Sequence, residues 1–343
     1  MKAIVVTKRG SPVAPNVSLA TDWPKPVPSA GEVLVRTEAS ALNSLDIWVG
    51  RGLPGVDTVY PFCGGSDGVG KVEAVGAAID PAWLGRRVLL NAAVVRTPSP
   101  IPGGAPAGED ISMIGEHTQG THAEWFVAPA ENLLDVGEAD PIEAAAFGLT
   151  HLTAWRMLVT RAHLRAGMTV LVTGIGGGVA VALLNIARHF GCRVIVTSRH
   201  QAKLDRAREL GASETILDDG TDWSRAVRAA TGKRGVDIVA DSVGKAVHLS
   251  GLKSLARGGV FVTCGTTSGG DAVTDLSRVF WNQLTIVGST MGDMDEFRSV
   301  ASLFASGVIR PTVDSTHSPS AASAAYAKLE GSSQFGKIII DWR

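Results

Sequence analysis

Apolar residues recur with two different periods along this chain, and the change of period divides it into three stretches. Over residues 1–130 the period is two. Gly31-Glu-Val-Leu-Val-Arg-Thr-Glu38 and Val69-Gly-Lys-Val-Glu-Ala-Val75 alternate as half-exposed strands do. Met1-Lys-Ala-Ile-Val-Val6, Arg87-Val-Leu-Leu90 and His122-Ala-Glu-Trp-Phe-Val127 are shorter runs of the same kind. A helix carrying Trp48 is expected after Asn43, and the Pro-rich run from Arg96 to Gly108 has no period and predicts a loop. Residues 141–288 alternate helical and strand patterns. Helices are predicted over about 141–147, 151–161, 179–190, 200–210, 222–231, 245–256 and 275–281, and strands over 169–174, 193–198, 236–241, 259–264 and 284–288. Such alternation predicts a parallel sheet with helices on both faces. Residues 289–343 predict a helix from Asp293, another from Ser320 and a last strand over Lys337–Asp341.

One βαβ unit carries candidate chemistry. Thr169-Val-Leu-Val-Thr-Gly-Ile-Gly-Gly-Gly-Val-Ala180 reads as a buried strand, a glycine turn and a helix start, and Cys192-Arg-Val-Ile-Val-Thr197 is the next strand. Bare backbone in such a turn lets a pyrophosphate lie on the helix N-terminus, where free N–H groups favour an anion. Gly176, Gly177, Gly178 and Val179 are the residues expected there. The run is one residue longer than the literal G-x-G-x-x-G/A spacing. At the end of the following strand, where an NAD enzyme carries a carboxylate for the ribose 2′-hydroxyl, this chain has Ser198 and Arg199. A hydroxyl beside a guanidinium suits a 2′-phosphate, so NADPH is the expected cofactor, with Lys203 one helical turn further on as a third contact. Ser242 and Val243, and Gly265 and Thr266, follow the fourth and fifth predicted strands, at the sheet edge where ligands bind in such folds.

Composition adds limits. The chain has 343 residues, 45% of them hydrophobic and 19% charged, which suits a soluble globular protein of two domains. With 32 basic and 33 acidic residues and no basic run, there is no electrostatic case for nucleic acid. No apolar run is long enough to span a membrane, and the N-terminal apolar run is too short for a signal peptide. Three dispersed cysteines, Cys63, Cys192 and Cys264, offer no disulfide framework or C-x-x-C, and fit the reducing cytoplasm.

The whole chain resembles the medium-chain dehydrogenase/reductase superfamily. The resemblance rests on Gly31-Glu-Val-Leu-Val35, Ala41-Leu-Asn-Ser-Leu-Asp46, Gly65-Ser-Asp-Gly-Val-Gly70, Gly85-Arg-Arg-Val88, Leu152-Thr-Ala-Trp155, the glycine turn and Gln334-Phe-Gly-Lys337. It implies an α/β fold in which a Rossmann doubly wound parallel sheet over residues 151–288 joins a GroES-like, β-rich catalytic domain. That domain would be discontinuous, formed by 1–150 and 289–343. It implies positions beside the nicotinamide and substrate for Asn43, whose amide would donate to the acceptor oxygen, and for Thr153. An ordinary cap and an ordinary helix residue are the plainer readings of these two. It implies contacts to the nicotinamide amide at Ser289, Thr290 and Met291, a cofactor contact at Lys337, and a homodimer paired through the 284–288 strand.

The zinc branch of that superfamily binds its catalytic metal through positions that here match Asn43, Ser66 with Asp67, and Leu149. These do not make a tetrahedral zinc site. The four cysteines of a structural zinc lobe are missing from 91–116, and a vestigial site of Asp46, Asp67 and His151 is the weaker reading. Without a Lewis acid, the resemblance points to the zinc-independent quinone oxidoreductase and enoyl reductase branch. The expected reaction is NADPH-dependent reduction of a quinone or of an activated C=C bond, with a small molecule as substrate. Tyr60 is the tyrosine near the expected pocket and the candidate proton donor, with His151 or solvent as alternatives. Alcohol or aldehyde chemistry, and a non-catalytic NADPH-binding role, are the competing readings.

Overall fold

The structure is a computed structural model of the chain that describes residues 1–95 and 111–343. The Pro-rich loop expected over Arg96 to Gly108 lies outside them. The chain forms two compact units, Met1–Leu149 with Asp293–Arg343, and Thr150–Gly292. The divisions fall at Leu149/Thr150 and Gly292/Asp293, against the expected 150/151 and 288/289.

In the first unit a seven-stranded sheet runs in the order Val313–His317, Lys337–Asp341, Glu32–Ala41, Gly68–Val75, Arg87–Leu90, Leu133–Asp135, and Trp125–Pro129 also pairs with Glu32–Ala41. Val33 and Val35 are fully buried and Leu34 between them is buried too, so this central strand is covered on both faces here. The return of the chain closes the sheet: Lys337–Asp341 lies antiparallel to Glu32–Ala41, with Ile339 opposite Ala41. Ile338 and Ile340 of this strand pack with Ile4, Val6, Leu42, Ile47 and Tyr326 in one apolar cluster. Helix Ser44–Arg51 starts at extended Asn43, and Asp46 returns its carboxylate to the Asn43 N–H at 2.7 Å, satisfying a backbone donor at the helix start.

The second unit holds a six-stranded parallel sheet in the order Glu214–Leu217, Arg193–Ser198, Thr169–Val172, Val236–Asp241, Leu255–Thr263, Thr285–Gly288. This is the 3-2-1-4-5-6 order of a doubly wound dinucleotide fold. Its central strands are buried on both faces and accordingly β-branched and unbroken. Helix Gly178–His189 buries Val181, Leu184 and Ala187, spaced at one face.

Three expectations need correction. The helices predicted over 141–147 and 151–161 are one α-helix, Pro141–Trp155, continuing as a π-helical turn, Arg156–Arg161. A Cβ at Gly148, within that helix, would lie 2.5 Å from the Asp67 carboxylate, so the glycine is required by close approach and not by a turn. Glu214–Leu217 and Val313–His317 were not predicted as strands. Both are short edge strands with half-exposed or exposed side chains, so neither carries an apolar alternation.

Candidate functional site

Fourteen of the site expectations fall at or beside one edge of the second unit's sheet, because parallel strands put all their C-terminal ends together. The glycine turn leaves Thr169–Val172 with Gly174 at φ +62° and Gly176 at φ +132°, conformations that side chains resist. Its backbone is tied to the next strand: Gly174 N–H donates to Thr197 Oγ1 at 3.2 Å and Ile175 N–H to the Thr197 carbonyl at 2.7 Å. Gly177 caps helix Gly178–His189, and nothing lies within 4 Å of where its Cβ would be. The helix N-terminus is therefore open to an anion. Lys203 lays its stem over Gly176, with Nζ 3.0 Å from the ideal Cβ position.

Ser198 ends its strand, is buried, and accepts the His200 N–H at 3.2 Å; Arg199 beside it is exposed. Asp241 organises the loops beyond. Its carboxylate accepts from Thr173 Oγ1 at 2.6 Å, Val243 N at 2.9 Å, Gly244 N at 3.0 Å and Thr263 Oγ1 at 3.4 Å. Burial pushes this carboxyl above its ordinary value, against the opposing pull of those hydrogen bonds. The loop after it meets the Gly265-Thr266 loop, since Ser268 N–H donates to the Val243 carbonyl at 2.8 Å and Lys245 N–H to that of Gly269 at 2.9 Å. Sequence singled out Ser242 and Val243 here, yet the aspartate before them does the positioning. Its signal was a lone acid ending an apolar strand.

Thr153 Oγ1 and Met291 Sδ approach to 3.8 Å. Met291 holds φ +48°, a conformation costly for a non-glycine residue, and strain of this kind gathers at binding sites. Ser289 is 8% exposed and its hydroxyl has no hydrogen-bond partner among the described residues, while Thr290 next to it is exposed. The open helix N-terminus, the glycines a Cβ would disturb and this orphaned hydroxyl all fit a dinucleotide.

Asn43, Tyr60 and Lys337 belong to the first unit, and its contacts correct the roles expected of them. The Tyr60 hydroxyl gives its proton to the Val49 carbonyl, anchoring the 52–60 loop to helix Ser44–Arg51, and burial pushes its pKa up. That hydrogen bond ties the loop to the helix. Lys337 is 4% exposed and spends its three protons on the Leu42 carbonyl at 2.8 Å, Asn43 Oδ1 at 2.6 Å and Asp67 Oδ2 at 2.8 Å. It has none left for a cofactor. The Asn43 amide nitrogen donates to Asp67 Oδ2 at 2.9 Å and, at a longer 3.4 Å, to the Ala41 carbonyl, so it is engaged within the unit and not presented to an acceptor.

Zinc does not fit this donor set. An ammonium sits on Asp67, Ser66 donates its hydroxyl to the Ile114 carbonyl at 2.9 Å, and Leu149 offers only its backbone N–H, which goes to Asp67 Oδ1 at 2.7 Å. Burial pushes the Cys63 thiol up to about 12. Asp46 accepts the Gly65 N–H at 2.9 Å and lies 3.4 Å from His122 Nε2, while His122 Nδ1 faces the Ser40 hydroxyl at 2.9 Å. Among the described residues no group of three or more His, Cys, Asp or Glu side chains is arranged to hold a metal. No helix among them is long and apolar enough to cross a membrane.

A doubly wound sheet with a glycine-lined binding edge, together with a β-rich unit closed by the returning chain, defines a dinucleotide-binding oxidoreductase. The chain belongs to the medium-chain dehydrogenase/reductase superfamily. Residues 29–138 match the alcohol dehydrogenase GroES-like domain and residues 178–306 the zinc-binding dehydrogenase family. It is 31% identical over 339 residues to the zinc-type alcohol dehydrogenase-like protein YogA of Leptosphaeria maculans, covering 92% of each chain. It is 25% identical over 348 residues to the quinone oxidoreductase of Homo sapiens, covering 99% of this chain and 97% of that one. The crystal structure of an NAD-dependent alcohol dehydrogenase superposes with a TM-score of 0.92 at 36% identity over 100% of both chains.

Proposed function

We propose that this protein is an NADPH-dependent, metal-independent oxidoreductase that reduces a quinone or the activated C=C bond of an α,β-unsaturated carbonyl. The observation that carries the reading is the donor set of the first unit, where an ammonium lies on the carboxylate and amide at the positions the zinc branch uses for its metal. Without a Lewis acid, an alkoxide has poor stabilisation. A quinone or enone instead delocalises the charge it receives, and hydrogen bonds suffice. When bound, the nicotinamide cofactor supplies the hydride.

The chain's own residues bind and orient. The N–H groups at Gly177, Gly178 and Val179 take the pyrophosphate, and the Lys203 ammonium over Gly176 adds positive charge to the same turn. Ser198 and Arg199 hold the 2′-phosphate. Thr153 and Met291 form a wall for the nicotinamide ring, and the orphaned Ser289 hydroxyl takes its carboxamide. Ser242, Val243, Gly265 and Thr266 are set around the dinucleotide by Asp241. Solvent supplies the proton.

A homodimer is part of this proposal. Thr285–Gly288 is an edge strand, and near it Val273, Leu276, Phe280 and Trp281 are 84%, 71%, 69% and 70% exposed. An unpaired edge flanked by exposed aromatic side chains suits pairing with a second copy.

The likeness to an NAD-dependent alcohol dehydrogenase favours a second reading, NAD-linked alcohol oxidation. One experiment separates them: oxidation of NADPH and of NADH by the metal-analysed protein with quinones, enones and aldehydes, and the reverse assay with alcohols. NADPH-preferring reduction of quinones or enones by zinc-free protein supports the proposal. Zinc-dependent alcohol turnover with NAD would replace it, and cofactor binding with no turnover would leave a binding protein.

A further inference from the structure

The antiparallel register that sets Ile339 opposite Ala41 brings Lys337 beside Asn43, and its ammonium reaches three oxygens there: Leu42 O, Asn43 Oδ1 and Asp67 Oδ2, at 2.6–2.8 Å. The two charged side chains are 4% and 0% exposed. Every polar atom of the cluster has a partner, since the second Asp67 oxygen takes the Leu149 N–H and the Asn43 nitrogen faces Asp67. Asp67 approaches helix Pro141–Trp155 over Gly148, where a Cβ would lie 2.5 Å from its carboxylate.

From this geometry we infer that Lys337 is the resident cation of the site. It is a positioning residue whose ammonium neutralises Asp67, fixes the plane of the Asn43 amide through Oδ1, and holds the place in which a metal ion would otherwise balance the carboxylate. The role rests on the metal-independent reading above. A carbonyl, an amide oxygen and a carboxylate are hard oxygen donors, the set that divalent cations such as Mn²⁺ or Mg²⁺ take. The fixed side-chain charge excludes them by repulsion and by filling the space.

The test is a charge-balance series on the full chain: wild type, Lys337→Ala, Lys337→Met, Asp67→Asn, and Asp67→Asn with Lys337→Met. Mn²⁺ bound per chain is read by electron paramagnetic resonance, thermal stability with and without Mn²⁺, and NADPH affinity by fluorescence. Wild type should hold no Mn²⁺ and show no Mn²⁺-dependent shift in melting temperature. Lys337→Ala should bind one ion per chain and melt higher when it is present. All three single substitutions at the charged pair should be unstable without added metal, and the neutral double variant should recover most of the loss without responding to Mn²⁺. Its NADPH affinity should stay within about twofold of wild type, where a lost charge-assisted cofactor contact would cost on the order of tenfold or more. A Lys337→Ala variant indifferent to Mn²⁺, a double variant no better than the singles, or a large loss of NADPH affinity in it would each overturn the role. Wild-type protein that fails to reduce quinones or enones overturns the reaction class instead, and does so whatever the series shows.

Discussion

Asp241 is the residue on which the binding edge of the sheet most depends. Asp241→Ala removes the acceptor for Thr173 Oγ1, Val243 N and Gly244 N, three contacts of 2.6–3.0 Å in a site where the carboxylate is 1% exposed. Hydrogen bonds to a charged group contribute about 1.5–3 kcal/mol each. Removing the carboxylate also removes the cost of burying it, so the net loss should be about 2–4 kcal/mol, well below the sum of the three. The loop of Ser242 and Val243 should loosen along with that of Gly265 and Thr266, and NADPH affinity should fall with stability. Urea unfolding followed by tryptophan fluorescence measures the first effect, and fluorescence titration with NADPH the second. A loss under about 1 kcal/mol with unchanged NADPH affinity would refute the positioning role. The pH dependence gives an independent check. The native carboxyl titrates above its ordinary value because it is buried. Between the ordinary and the raised value the native state keeps a proton that the unfolded state has lost, so this group's contribution to stability falls as pH rises through that window. Asp241→Asn should remove that component of the pH profile.

Arg199→Ala should weaken NADPH by about 1.5–3 kcal/mol and leave NADH nearly untouched; equal losses in titrations of both cofactors would misplace the 2′-phosphate. Gly176→Ala puts a Cβ 2.6 Å from Lys203 Cδ on a backbone at φ +132°. It should cost about 1–3 kcal/mol in strain and reduce NADPH binding, and a variant with wild-type melting and affinity would show the turn to be pliable. Ile286→Lys, on the edge strand at 40% exposure, should turn a dimer into a monomer in analytical ultracentrifugation without lowering the melting temperature of the monomer.

Much of the binding unit was legible in the sequence because its signals are local. The strands Thr169–Val172, Arg193–Ser198 and Val236–Asp241 each hold a core of three consecutive apolar residues, and a strand buried on both faces announces itself through its own residues. The glycine turn is equally local, since φ values of +62° and +132° demand glycine at Gly174 and Gly176 whatever surrounds them. An edge strand can lack that signal. Glu214–Leu217 draws its pairing from Arg193–Ser198, and its own side chains stay largely in solvent.

The chemistry of the first unit was hidden for a different reason. Asn43, Asp67 and Lys337 could each be picked out as polar residues in suggestive places, but which atoms they spend on one another was not a property of any segment. Lys337 lies 294 residues from Asn43 and 270 from Asp67 along the chain. Tyr60 stood out as the tyrosine near the expected pocket, and its hydroxyl donates to the Val49 carbonyl. Gly148 carries no side chain because the Asp67 carboxylate lies 2.5 Å from where its Cβ would be, a reason no neighbouring residue shows. The sequence by itself determined the two periodicities, the glycine turn and the sheet edge on which a dinucleotide can lie, because backbone conformation and one-sided burial are decided among neighbours. Only the tertiary structure decided that Lys337 balances Asp67, because that pairing is made where the register of the last strand against Glu32–Ala41 brings distant charges into one buried, low-dielectric place.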